Sequence, residues 1–227
     1  MTPLAVAHRG DPIAHPENTL EAFAAAVDAG ADMIELDVRT TADGALVLLH
    51  DETLDRVWGV ARSVVDMTVA ETRALGIPEL HEALDAIDVQ VMLDYNEALT
   101  RVEPALAAVR DADAVDRVVF AGANYAGHRR IRELEPRARI ALTWKEAAAD
   151  PIPLLDELGA EFFNPSGRVL AADPGFVDRM HARGTQVSVW TLDRREHMEG
   201  ALDLGVDAVI TNRVGELVSL LAERVRC

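Results

Sequence analysis

Along this sequence, side chains able to do chemistry sit where apolar runs end. His8 and Arg9 follow LAVAH, Glu35 and Asp37 stand two apart in MIELD, His50 closes ALVLLH, and Asp94 closes VQVMLD. Glu35 and Asp37 point to the same side of an extended chain, because side chains alternate across a strand. Three carboxylates brought into one cleft repel one another unless a cation binds between them, and oxygen donors of this kind suit Mg²⁺, Ca²⁺ or Mn²⁺ better than zinc. Two imidazoles beside such a set resemble a metal-assisted acid/base site. One takes a proton from a nucleophile and the other gives one to a leaving oxygen. A single Asp or Glu is ordinarily a solvated charge at a strand end, whereas E-L-D inside an apolar run resists that reading. Asp51 reads as a turn residue supporting His50. His15, His81, His128, His181 and His197 read as surface or helix residues and are given no role.

These residues share a site only if the elements carrying them end on one rim. Eight short runs rich in Val, Ile, Leu and Phe recur: 4–8, 33–37, 89–94, 117–121, 139–144, 160–164, 185–191 and 207–211. Helical patterns near 18–29, 79–87, 97–111, 126–135, 151–158, 174–183, 194–204 and 215–226 separate them. Such alternation signals a parallel sheet with crossover helices. Eight units in 227 residues predict a single (β/α)8 barrel domain, 1–227, whose rim at the strand C-termini would gather the residues above. A doubly wound open sheet has the same alternation, but no Gly-rich dinucleotide fingerprint follows the first strand. Asn18 with Glu21 reads as a capping pair opening the first helix, and Pro104 predicts a kink or late start in the third. ELDVRTTADGALVLLHDETLDR runs through TADG with no helix and reads as a hairpin after the second strand. A turn centred between Ala42 and Asp43 would set Glu35 opposite His50. Residues 52–78 hold no barrel strand and read as a short cap insertion.

Composition narrows the partners. A formal charge of -17 disfavours sequence-independent binding to nucleic acid or anionic lipid, both of which need basic surface. No apolar run approaches the roughly 18 residues of a membrane span, so no membrane insertion is expected. With no secretory signal at the start and Cys227 the only cysteine, a cytoplasmic location is expected and an internal disulfide is impossible.

HRG and PENT near the start, ELDV, HDETLDR, IPEL before a helix, and VWTLD with LGVDAVITN near the end resemble the glycerophosphodiester phosphodiesterase family, in order over nearly the whole chain. The resemblance implies a TIM barrel, a divalent cation at Glu35, Asp37 and Asp94, a catalytic pair in His8 and His50, and a small phosphodiester substrate whose phosphate Arg9 holds. In the mechanism it implies, a neighbouring glycerol hydroxyl attacks phosphorus, an alcohol leaves, and water opens the cyclic phosphate to glycerol 3-phosphate. Two other readings stand beside it: a phosphodiesterase or lyase on another small phosphodiester or lysophospholipid, and a catalytically weak barrel that binds metal and phosphate.

The sequence departs from that family in three places. The third strand ends Asp94-Tyr95-Asn96 where the family usually has E-x-K, so the third ligand is an aspartate and the lysine is gone. Removing one such contact to a developing charge commonly costs on the order of 10²–10³ in rate. Lys145, after the fifth strand, is the candidate to supply the missing charge, against a plain reading as a solvated helix-start residue. The stretch between HDETLDR and IPEL is short, and the fourth and eighth strands end AGAN and TNR. Trp190, ending the seventh strand, reads either as a plug of the barrel or as a platform for substrate.

Overall fold

Each of the eight barrel runs identified in the sequence forms a strand, and each pairs in parallel with its barrel neighbours. The computed structural model describes residues 2–95, 102–146 and 148–225. Its barrel strands are β1 (Leu4–His8), β2 (Met33–Thr40), β3 (Gln90–Tyr95), β4 (Val118–Ala121), β5 (Arg139–Trp144), β6 (Phe162–Pro165), β7 (Gln186–Val189) and β8 (Ala208–Thr211). β1 pairs with both β2 and β8, which closes the sheet into the expected (β/α)8 barrel. The register aligns His8 with Glu35 and Asp37 with Asp94, so the residues picked out by type also lie level with one another.

Helices between the strands bury one apolar face on the outside of the barrel, where Phe23, Leu84, Leu106, Ile131, Val177 and Leu217 belong to one continuous core. The helix described over Val102–Asp111 includes Pro104. Residues 96–101, which include Asn96 and the start predicted for this helix, lie outside the described residues, as does Cys227. No helix among the described residues is long and apolar enough to cross a membrane.

Two local expectations are corrected. The first helix runs Leu20–Asp28 and is capped by Thr19, whose side chain accepts from Ala22 N, and not by Asn18 with Glu21. Asn18 stands at φ +59°, outside the helix and buried. The hairpin forms, but Thr41 N bonds Ala45 O across a three-residue turn, and Val38, Arg39 and Thr40 pair with Leu48, Val47 and Leu46. That register is one residue displaced from the predicted pairing, so Glu35 does not face His50 across the ribbon. A three-residue loop moves the centre of symmetry by half a residue, which is enough to shift every partner by one.

His50 nevertheless returns to the mouth, since Leu49 N still bonds Asp37 O and the Arg39 guanidinium donates to His50 O. Residues 52–78 add no barrel strand: they hold an antiparallel pair Thr53–Leu54 and Val60–Ser63 and helices Asp55–Trp58 and Val69–Ala74, and their Leu54, Val64, Met67 and Ile77 form a small apolar cluster with Val47 and Leu49 of the hairpin.

Candidate active site

The barrel interior changes character along six of its eight strands. Val6, Met33, Met92, Val119, Ala141, Phe162, Ala208 and Ile210 make an apolar plug. Two residues further toward the strand C-termini the alternation places the next inward side chain, and there the lining is polar. Val6 is followed by His8, Met33 by Glu35 and then Asp37, Met92 by Asp94, Ala141 by Thr143 and then Lys145, Phe162 by Asn164, and Ile210 by Asn212. The plug excludes water from below. The polar layer therefore opens in one direction only, into a cavity of about 230 Å³.

All the residues singled out from the sequence line this cavity: His8, Arg9, Glu35, Asp37, His50, Asp94, Lys145 and Trp190. Arg9 turns into it because the chain reverses after β1, with Arg9 itself in the left-handed region at φ +61°. The following Gly10 has no substitute, since a Cβ there would lie 2.6 Å from the backbone of Ala22 on the first helix. Asp94 owes its room to Gly122, where a Cβ would lie 3.0 Å from Asp94 Oδ1 and 2.9 Å from Tyr95 O.

The electrostatics are those of an acidic pit with a cationic wall. Burial pushes the Glu35 carboxyl well above the usual range, and Asp37 and Asp94 push it the same way. Burial and then Asp37 push Asp94 up to about 7, against the pull of Lys145 and Arg9. Arg9 is held charged against its own burial by Asp37, Glu35 and Glu17. Its Nη1 bonds Glu17 Oε1 at 2.9 Å. Its Nε lies 3.0 Å from Asp37 Oδ2 but is not aligned with it, so this buried N–H makes no hydrogen bond. Lys145 Nζ sits 5.6 Å above the Trp190 ring, whose Nε1 donates to Asn164 O at 3.0 Å. The tryptophan is thus fixed in place as one wall of the cavity.

Both histidines are tied by Nδ1. His8 Nδ1 lies 2.8 Å from Asn212 Oδ1, and His50 Nδ1 lies 2.7 Å from Asp51 Oδ1. A carboxylate accepts only, so His50 carries its proton on Nδ1. Burial and the neighbouring Arg9 lower the pKa of His8, which keeps it neutral.

Several supporting residues escaped the sequence reading. Asn18 donates from Nδ2 to Asp37 Oδ2 at 2.9 Å and accepts the Asp37 backbone N–H at 3.1 Å, so the residue taken for a helix cap braces a site carboxylate. Asn212, in the TNR noted as a departure, holds His8 and is itself held by Asp193. The period-two alternation that picked out Glu35 and Asp37 would have picked out Asn212 after Ile210. Nothing periodic marks Asn18 or Glu17. His128, given no role, is fully buried in the helix Tyr125–Leu134.

The three carboxylates share the cavity, yet among the described residues no three His, Cys, Asp or Glu side chains are gathered closely enough to hold a metal as they stand. Their repulsion opposes a tighter group, and Arg9 takes the place beside Asp37. The donor chemistry still fits a hard divalent cation: the three side chains offer oxygen only, and burial has raised the pKa of two of them.

Strand order and cavity define a (β/α)8 barrel with a polar cavity at the strand C-termini. In fold the chain is similar to the structure of an Oleispira antarctica phosphodiesterase in complex with the product sn-glycerol-3-phosphate, with TM-score 0.89 at 21% identity over 97% of each chain. It is also similar to a glycerophosphodiester phosphodiesterase from Thermotoga maritima, with TM-score 0.81 at 26% identity over 96% of this chain and 98% of that one. Residues 8–216 match the glycerophosphoryl diester phosphodiesterase family, and the chain belongs to that family of phosphoric diester hydrolases. Among its relatives, the glycerophosphodiester phosphodiesterase of Caldanaerobacter subterraneus is 31% identical over 97% of this chain and 98% of its own length. That of Bacillus altitudinis is 26% identical over 96% and 97%.

Proposed function

We propose that the protein hydrolyses small glycerophosphodiesters to an alcohol and glycerol 3-phosphate, with His8 and His50 as the proton-transferring pair. The observation that carries this is the shared tether: two imidazoles in one acidic cavity, each fixed through Nδ1, which leaves each Nε2 to handle protons. The product complex of the Oleispira relative supports the substrate class. A cavity of about 230 Å³ also suits a small headgroup, lying below the roughly 300–1,000 Å³ of pockets that enclose drug-sized ligands.

In this reading Glu35, Asp37 and Asp94 hold a divalent cation, Mg²⁺, Ca²⁺ or Mn²⁺, which when bound polarises the phosphoryl group and neutralises the carboxylates. The unspent Arg9 Nε–H donates to a phosphate oxygen, and Lys145 adds positive charge from across the cavity. Neutral His8 takes the proton of the attacking glycerol hydroxyl at Nε2. Protonated His50 gives one to the departing alcohol oxygen. For the second step the roles reverse: His50, now neutral, takes a proton from water, and His8 returns its proton to the ring oxygen as the cyclic phosphate opens. Trp190 is a platform for the glycerol or alcohol portion.

Alcohol release from glycerophosphocholine, glycerophosphoethanolamine and a lysophospholipid, measured with each of the three cations, tests this. Turnover that needs a cation and is lost in His8→Ala supports the reading. Turnover of the lysophospholipid alone would move the substrate class, and metal binding with no turnover on any of the three would overturn it.

A further inference from the structure

Arg56 lies on the insertion helix Asp55–Trp58, outside the cavity, and makes three charged hydrogen bonds. Its Nη1 and Nη2 grip Glu17 at 2.8 Å and 2.7 Å, and its Nε donates to Asp51 Oδ2 at 2.6 Å. The other oxygen of Asp51 holds His50 Nδ1, and Glu17 also holds Arg9. One guanidinium thus closes a chain that runs Arg9, Glu17, Arg56, Asp51, His50 around the mouth.

Stability does not account for this arrangement. Arg56 is half-exposed, and exposed ion pairs contribute roughly 0–1 kcal/mol. Geometry accounts for it better. Asp51 follows His50 directly on a loop, and a partly exposed carboxylate there could turn either oxygen, or neither, toward the imidazole. With Oδ2 fixed by Arg56, Oδ1 stays on Nδ1. Only a planar, forked cation can serve Glu17 with two donors and Asp51 with a third at once, which a lysine ammonium cannot do in one plane.

We propose that Arg56 is a positioning residue: by clamping Asp51 against the barrel through Glu17, it fixes the tautomer and aim of the His50 imidazole and so couples the 52–78 insertion to proton transfer. The proposal rests on the role of His50 given above, and its test has an arm that does not need turnover. In ligand-free protein, ¹⁵N-labelled imidazole signals should show His50 with its proton on Nδ1 in the wild type and averaged between the two nitrogens in Arg56→Gln, with thermal stability unchanged. On a glycerophosphodiester, Arg56→Gln should lower kcat about 10-fold or more with KM within threefold. Arg56→Lys should recover only part of the loss, and added guanidinium, but not methylammonium, should raise the kcat of Arg56→Ala. A rise in KM at constant kcat would overturn the proposal by making Arg56 a substrate contact. So would a His50 signal unchanged in Arg56→Gln, and this second outcome decides the matter even if the wild type turns over none of the substrates tried.

Discussion

His8 Nδ1 lies 2.8 Å from the side-chain oxygen of Asn212, and the amide nitrogen of the same asparagine lies 2.8 Å from Asp193 Oδ2. The orientation of that amide is set by its surroundings. Turned over, it would press its oxygen against a carboxylate and offer a donor to a ring nitrogen that would have to surrender its proton. Asp193, Asn212 and His8 therefore form a one-way chain of donors that ends with the Nε2 lone pair in the cavity. Removing the acceptor should free the tautomer without touching substrate. Asn212→Leu is expected to lower kcat about 10-fold or more with little change in KM, and Asn212→Asp, which still accepts, to keep more of the rate. Steady-state kinetics on the two variants and the wild type checks the order.

The imidazoles themselves should matter more than their tethers. His8→Ala and His50→Ala are each expected to cost on the order of 10²–10⁴ in kcat, the range of general acid–base catalysis, and the double variant little more than the worse single one. Circular dichroism and thermal melting should show all three folded, because both rings face the cavity.

Cation dependence can be read without turnover. A divalent cation that binds only the folded chain raises Tm in proportion to the logarithm of its concentration. The wild type should show that rise with Mg²⁺, Ca²⁺ or Mn²⁺ and lose it with a chelator. Asp37→Asn should show a much smaller rise, and a variant shift equal to that of the wild type would remove Asp37 from the ligand set.

Asn18 shows how much of the site the sequence hides. Asn18→Gly keeps the φ of +59° but loses both bonds to Asp37, an expected cost of about 1–3 kcal/mol. Asn18→Ala adds the strain of a Cβ in the left-handed region, about 1–2 kcal/mol more. Denaturant melts of the two variants separate bracing from backbone conformation. A smaller cation-induced Tm shift in Asn18→Gly than in the wild type would tie the bracing to the site.

A buried histidine packed 5.2 Å from the Tyr95 ring should give the fold an acid sensitivity. Burial lowers the His128 pKa from 6.5 to about 4, so between those values the unfolded chain binds a proton that the folded one rejects. The associated stability is complete above pH 6.5, falls as pH drops toward 4, and levels off below. The full change is about 3 kcal/mol. Comparing the stability of wild type and His128→Leu in urea at several pH values isolates it: the difference between the two curves should slope only in that window.

Strand order, barrel closure and the gathering of His8, Glu35, Asp37, His50 and Asp94 on one rim were legible in the sequence. Most follows from local regularities: apolar runs of strand length, helical spacing between them, and period-two alternation carried past the run's end; His50 was placed by the hairpin, whose existence was legible although its register was not. The tertiary structure alone decided which of the neighbouring polar residues reach the site. The hairpin register turned on a half-residue difference in its turn. Asn18 left its cap position for Asp37, Asn212 met His8 across 204 residues, and Arg56 reached back 39 residues to Glu17. Such pairings depend on where side chains from separate elements meet once the barrel has closed, and no spacing along the chain encodes that distance.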